Sequence, residues 1–475
     1  MLVMSEHQPM LHLDQQYALN DQPGTDLLCT LIQAHPLDIN ACRRTYTSLP
    51  ITKLISSTVM KALASRLRVP LDILSDEPDQ LTKRDTYLIL VSETLPFLTE
   101  IAAEISTISP DTELQLLVTA ATFLADKEHR IWSSQQTHQL ATQLLQSLST
   151  NTRTLVAKHL VNILSIHVKP YFAHHPNIDK QELKQQPRNG DSKVTMTDFF
   201  QDQKWKSEYP ESPFILAWCL LQVQQPELQK VQGLVIPTLL TLLDDFDPKY
   251  KTLGVQLTRH VIIDNTAPSE IRVTGLGDVF FDALITCLSY HSDPDLLEEA
   301  ISTSLDLSSV IQVKGTEALH ARYERITDVF TKGFLMSIGG KVRVIQIYLQ
   351  TIPLLFEKIG VLGVQYLKQL LISCCEVLAL QYCEVDTRTL ATQAIASIIN
   401  VGWPRIDAYR GSILSAIASA WKHEASSDNE MKDVLVALCT LLKKACGPEF
   451  ENDLRFLLEI DGNLFTSLVT PSLGD

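Results

Sequence analysis

Few residues here have the types needed for chemistry, and their spacing fails each reaction in turn. Gly339-Gly340-Lys341 suggests a phosphate cradle, in which backbone amides and a lysine hold phosphate oxygens. Val342 stands where Ser or Thr should hold magnesium, however, and Leu335 stands where the opening glycine should be. A zinc site needs closely spaced His and Cys donors. The cysteines fall at Cys29, Cys42, Cys219, Cys287, Cys374, Cys375, Cys383, Cys439 and Cys446, with no CxxC pair. Cys374 and Cys375 would diverge by roughly 100° on a helix. Cys439 and Cys446 share a helical face with no His nearby, and His174-His175 is isolated. HExxH and GxSxG are both missing from the sequence. Asp244, Asp245 and Asp247 form the densest acidic cluster, with Glu298 and Glu299 next. Paired carboxylates do acid–base work in a closed pocket. At a turn, water keeps them ionised, so the reading is capping plus a solvated ridge, with docking of a basic partner as the alternative. The sequence therefore predicts no catalytic residue, cofactor or metal. Trp205, in QKWKSEYPESPF, and Trp403, in VGWPRID, remain. Tryptophan anchors interfaces and also plugs helix pairs, and composition favours the plug for both.

The elements that would position these residues follow a beat. Asp247-Pro248, Asp293-Pro294, Gly339-Gly340 and Val385-Asp386 stand at intervals of 46 residues, and Ser426-Ser427-Asp428 follows about 42 later. Each break precedes apolar residues at i, i+3 and i+4 spacing, such as Leu297, Ala300, Ile301 and Leu305, or Leu390, Ala391, Ala394, Ile395 and Ile398. Asp accepts from free amides at a helix start, and Pro fits the first helical position. A period of roughly 40–47 residues is that of two-helix HEAT and armadillo repeats. Such units stack because none buries its apolar face alone. The predicted fold is all-α, a HEAT/armadillo-like helical-repeat solenoid. The glycine pair reads as one more helix-hairpin turn.

The beat is not visible in the first half, which is helical around Leu54–Leu67, Tyr87–Ile108, Leu114–Leu124, Leu140–Leu148 and Leu155–Val168. That half reads as a degenerate solenoid or a separate bundle. The predicted organisation is a flexible start over 1–23, a helical region over 24–170, a polar linker or disordered loop over 171–198, and a solenoid over 199–470. A formal charge of −15, without a Lys/Arg cluster, argues against a phosphate backbone as partner. There is no run of about 18 uninterrupted apolar residues, so no membrane partner is expected. Met1 to Gln16 lack a basic stretch followed by an apolar core, and the scattered cysteines suit a reduced compartment. The expectation is an intracellular chain that binds proteins.

Several ordered segments sharpen this expectation. WKSEYPE, FILAWCLLQV, DDFDPKYKTLGVQLTRHVI, YLQTIPLLFEKIGVLGVQYLKQL and VGWPRI, over residues 197 to 410, resemble the Tti2 family. The family-like positions include Trp205, Lys206, Trp218, Asp244, Asp245, Lys251, Leu253, Gly254, Val255, Tyr348, Pro353, Leu362, Leu367, Trp403, Pro404 and Arg405. The resemblance implies a non-enzymatic scaffold in the Tel2–Tti1–Tti2 co-chaperone complex, cytoplasmic and also nuclear. Its implied partners are Tti1-like and Tel2-like proteins. Indirectly they include phosphatidylinositol 3-kinase-related kinases and the ninety-kilodalton heat-shock chaperone. Partner-binding candidates are Trp205, Lys206, Asp244, Asp245, Lys251, Trp403, Pro404 and Arg405, with the last three as the favoured Tti1 anchors. The bland reading of those three is a helix end, with Trp packed, Pro stopping the helix and Arg capping its carbonyls. The alternative function is a nuclear-transport or phosphatase scaffold adaptor of the HEAT type.

Overall fold

A computed structural model describes residues 23–34, 37–49, 53–74, 78–105, 107–125, 132–172, 203–423 and 429–469. The expected flexible start and polar linker, with His174 and His175, fall outside these apart from Pro23, Tyr171 and Phe172. The fifth break at Ser426–Asp428 falls outside them too. Among the described residues every regular element is a helix or helical turn, and none is a strand. The chain divides into two compact units, Met1–Thr238 and Leu239–Asp475.

In the amino-terminal unit the helices are α1 (Pro23–Gln33), α2 (Ile39–Ser48), α3 (Lys53–Arg66), α4 (Pro78–Glu104), α5 (Pro110–Ala125), α6 (Gln135–Leu148), α7 (Thr152–Ile163) and α8 (Ser212–Leu221). Alternate helices pack on one another: α1 on α3, α3 on α5 and α5 on α7 in one row, α2 on α4 and α4 on α6 in the other. Two rows of antiparallel helices are the mark of stacked hairpins, so this half is a degenerate repeat array rather than a separate bundle. The odd-numbered helices begin at 23, 53, 110 and 152, intervals of 30, 57 and 42 residues, which hides any fixed period. Side-chain caps set several starts. Asp38 accepts from the Ala41 amide at 2.9 Å, and Ser134 and Thr137 form a reciprocal capping box. Trp132 closes the space above α5, with its indole N–H donating to the Thr122 carbonyl at 2.9 Å.

The boundary between the units differs from the expected linker. Helix α8 packs on α5 and on the turn Leu164–Val168, so the chain after residue 203 joins the amino-terminal helices. The division falls instead inside α9 (Glu227–Asp244), at Thr238/Leu239.

In the carboxy-terminal unit the turn residues act as their types predict. Asp247 accepts from the Lys249 amide and Asp293 from the Leu296 amide, each at 2.9 Å, and Pro248 and Pro294 open their helices. Gly339 takes a φ of 84°, a left-handed conformation that costs other residues, so the glycine pair is a helix-ending turn. The helices are α10 (Pro248–Thr258), α11 (Pro268–Thr274), α12 (Leu276–Cys287), α13 (Pro294–Ile311), α14 (Glu317–Ser337), α15 (Val342–Ile359), α16 (Leu367–Ala379), α17 (Val385–Ile406), α18 (Arg410–His423), α19 (Asn429–Cys446), α20 (Phe450–Ile460) and α21 (Gly462–Val469). One row stacks α10, α13, α15, α17 and α19; beside it α14, α16 and α18 stack in the second. First-row helices begin at 248, 294, 342, 385 and 429, intervals of 46, 48, 43 and 44 residues. The all-α repeat solenoid is therefore the fold of this unit.

Apolar faces between the rows make its core, with Val255, Leu297, Ile301, Tyr348, Ile352, Ile395, Ile398, Leu435 and Leu438 buried. Burying a side chain of this size contributes about 1.5–3 kcal/mol. Ion pairs then join one repeat to the next: Asp278 to Arg322, Asp282 to Arg325 at 2.6 Å, Glu298 to Arg343 at 2.6 Å and Asp306 to Arg259 at 2.7 Å. The two exposed pairs, Asp282–Arg325 and Glu298–Arg343, contribute about 0–1 kcal/mol each. Leu81–Glu104 and Val342–Ala379 have the length and hydropathy to cross a membrane. Both bury one side against neighbouring helices, as repeat helices do: Val91, Leu95 and Leu98 in the first, Ile345, Tyr348 and Leu371 in the second.

Candidate partner-binding surface

The end of α17 is built around a close approach. A Cβ at Gly402 would lie 2.9 Å from Leu367 Cδ2, so glycine lets this end of α17 settle on the start of α16. That seating turns the next three residues outward. Trp403 is 61% exposed, and Pro404 and Arg405 are exposed beside it. Trp403 is thus not the helix plug that composition favours. Nor does Pro404 stop the helix, since α17 continues to Ile406. Proline removes the bond to the Asn400 carbonyl, but Asn400 is itself exposed, so water can take that carbonyl. An exposed indole beside a pyrrolidine ring gives large contact area with little side-chain entropy to lose, and the guanidinium adds a charged donor beside it.

Further exposed apolar residues stand near the ends of earlier helices: Val273 in the last turn of α11, and Val313 and Val361 in the turns that follow α13 and α15. The turn carrying Val361 packs against α17. Sequence reasoning missed these valines, although a signal existed. Each stands within two residues of a turn glycine with positive φ, at Gly275, Gly315 and Gly360.

The remaining candidates lie elsewhere and serve the fold. Trp205, in the single helical turn Lys204–Ser207, is 2% exposed and stacks on Phe172 at 5.1 Å between centroids. Lys206 is half-buried, its ammonium 4.8 Å from the Trp205 ring. Asp244, Asp245 and Lys251 meet at one turn with different exposures. Asp244 faces solvent, as a solvated ridge requires. Asp245 is buried and accepts from the Asp247 amide at 2.8 Å, so it braces the turn from inside. Lys251 is 2% exposed; its ammonium donates to the Leu243 carbonyl and lies 4.9 Å from the Tyr290 ring. A lysine so placed satisfies one of the open carbonyls at the end of α9. Three candidates, Trp205, Asp245 and Lys251, are thus interior residues and Lys206 is half-buried, while Asp244, Trp403, Pro404 and Arg405 are exposed.

Reactive groups are muted. Six cysteines are buried among apolar residues. Burial pushes the Cys219 and Cys375 thiols up to about 12 and those of Cys287 and Cys439 up to about 11, so they stay protonated. No three His, Cys, Asp or Glu side chains cluster among the described residues in a way that could hold a metal. A cleft of about 520 Å³ between α15, α17 and α19 is lined by Arg343, Gln346, Asp386, Thr389, Glu430 and Met431. Much of its polar lining is spent between repeats: Gln346 donates to Thr387 Oγ1 at 3.0 Å and Arg343 pairs with Glu298.

The model of the Tti2 family matches residues 116–380. The chain belongs to the Tti2 family. The match begins well before residue 197, so the family likeness reaches into the first half, where sequence reading found none. It covers Trp205, Lys206, Asp244, Asp245 and Lys251 and ends before Trp403, Pro404 and Arg405. Among curated relatives, TELO2-interacting protein 2 of Rattus norvegicus is 26% identical over 217 residues, 43% of this chain and 40% of that protein. The Homo sapiens protein of the same name is 23% identical over 228 residues, 45% of this chain and 42% of that protein. The matched region thus spans about two-fifths of the length of these relatives. Among solved structures, Kap121p bound to RanGTP is similar over 95% of this chain and 45% of that one, with 14% identity and a TM-score of 0.48. The repeat fold rests on the helix rows themselves.

Proposed function

We propose that this Tti2-family chain is a non-enzymatic scaffold subunit of a Tel2–Tti1–Tti2 complex. Its carboxy-terminal repeats bind a Tti1-like protein, and a Tel2-like protein completes the assembly. Through that assembly it supports the maturation and stability of phosphatidylinositol 3-kinase-related kinases with the ninety-kilodalton heat-shock chaperone, in the cytoplasm and also in the nucleus. Family membership supports the complex, and the names of the rat and human relatives point the same way. The observation that carries the surface is the outward Trp403-Pro404-Arg405 corner, together with exposed valines near the helix ends of earlier repeats. Stacked helix hairpins suit this work because they present extended surfaces without a catalytic cleft.

Affinity purification of the tagged full chain from its native cell at moderate salt, read by mass spectrometry, tests the proposal. Stoichiometric Tel2-like and Tti1-like proteins are the expected result. Their absence, with a transport receptor cargo, a phosphatase or no stable partner instead, would overturn it.

A further inference from the structure

The amino-terminal unit holds a cavity of about 740 Å³, a volume usual for binding sites. Leu67, Leu114, Val118 and Ile215 give it apolar walls. Tyr171 and Tyr209 stack at 3.5 Å along one side, and the guanidinium of Arg68 lies over the Tyr209 ring at 4.6 Å. The Ser212 hydroxyl is committed to the His167 carbonyl at 2.8 Å. Glu211 is the exception in this lining. It is only 8% exposed, and its Oε2 has no hydrogen-bond partner. An unpartnered carboxylate oxygen in a buried place costs free energy that a fold normally avoids. Of the two cations that line the cavity, Arg68 lies over the Tyr209 ring and Lys61 is 3.9 Å from Asp111.

We propose that this cavity receives a lysine side chain from a partner polypeptide, with its ammonium seated on Glu211 Oε2. The walls decide the stem. Lysine buries a four-carbon apolar chain while delivering a charge at its tip, which matches apolar sides around a buried carboxylate. Of the two Glu211 carboxylate oxygens only Oε2 is both buried and without a partner, which favours a head group that needs one acceptor. A guanidinium prefers two parallel acceptors, whereas an ammonium donates to one. An anion is excluded by the same carboxylate. Without a guest, burial pushes the Glu211 carboxyl up, against a hydrogen bond to its own backbone and the charge of Arg68. A bound ammonium would remove that penalty. The site lies wholly within the amino-terminal unit and does not rest on the Trp403 corner.

Saturation-transfer NMR on the full chain tests this with an N-acetylated, C-amidated Ala-Lys-Ala peptide. The norleucine and arginine analogues and free putrescine serve as comparisons. Saturable transfer to the lysine methylenes is expected, weaker for both analogues. It should fall at least tenfold in Glu211→Gln and in Val118→Phe, which fills the cavity from its wall. Equal transfer to the norleucine peptide, binding retained in either variant, or no transfer at all would overturn the proposal. So would binding of putrescine without the peptide, which would make the ligand a free diamine. If Glu211→Gln does not fold, Val118→Phe decides alone.

Discussion

Lys251→Met isolates what a buried ammonium does at the first turn of the carboxy-terminal unit. Methionine keeps most of the apolar stem, so little packing is lost. What disappears is the bond to the Leu243 carbonyl and the contact with the Tyr290 ring at 4.9 Å. A hydrogen bond from a charged donor contributes about 1.5–3 kcal/mol. A desolvated cation over an aromatic ring adds about 1–2 kcal/mol. Against these stands the cost of holding an ammonium at 2% exposure, which the substitution relieves. The Leu243 carbonyl keeps only the distant Cys287 thiol, at 4.0 Å. The net expectation is a loss of about 2 kcal/mol, or about 4–8 °C in Tm for a unit of this size. Thermal and urea unfolding of the full chain, followed by far-UV circular dichroism, would measure it. A variant as stable as the parent, or more stable, would refute the reasoning and show that the buried charge costs more than its contacts return.

Two further outcomes follow from the same kind of arithmetic. A Cβ at Gly254 would lie 3.0 Å from the Leu243 backbone nitrogen, which cannot rotate away; Gly254→Ala should therefore cost about 1–2 kcal/mol despite better helix propensity, while Gly233→Ala, with nothing within 4 Å, should gain up to about 1 kcal/mol in the same unfolding assay. Burial, with Arg68 assisting, lowers the His167 imidazole from 6.5 to about 4. The unfolded state then binds more protons between those values, so stability is intact above about pH 6.5 and falls as the pH drops towards 4. Between pH 7.5 and 5.5 the loss should be about 1 kcal/mol. His167→Gln should flatten that slope in urea titrations at the two pH values, and an unchanged slope would contradict the assignment.

How much of this was legible in the sequence depended on the residue. Asp247 and Asp293 announced their helices because cap chemistry is local: a carboxylate, a proline and an apolar stripe within a few positions. Gly254 stood out only as one of the Tti2-like positions, and its need for no Cβ shows in the packing against Leu243. The first half hid its repeats because its helices begin at intervals of 30, 57 and 42 residues. Lys251 and Asp245 misled because charge reads as surface, and only packing shows that a helix-end carbonyl and a turn amide hold them inside. Trp403 misled in the opposite direction. Its outward aim comes from Gly402 resting on Leu367, which is 35 residues earlier in the chain. The cavity around Glu211 draws on α3, α5, the Leu164–Val168 turn and α8, and no local pattern could assemble it.

The most direct test of the central claim compares the parent chain with Trp403→Ala for retention of a Tti1-like partner, with unfolding measured alongside. At 61% exposure the indole contributes little to the fold, so Tm should move by no more than about 2 °C, as surface substitutions do. An interface anchor of this type costs about 2 kcal/mol or more when truncated, so affinity should fall about thirtyfold or more. Unchanged binding would contradict the account, and parallel loss of binding and stability would make Trp403 a structural residue rather than a contact.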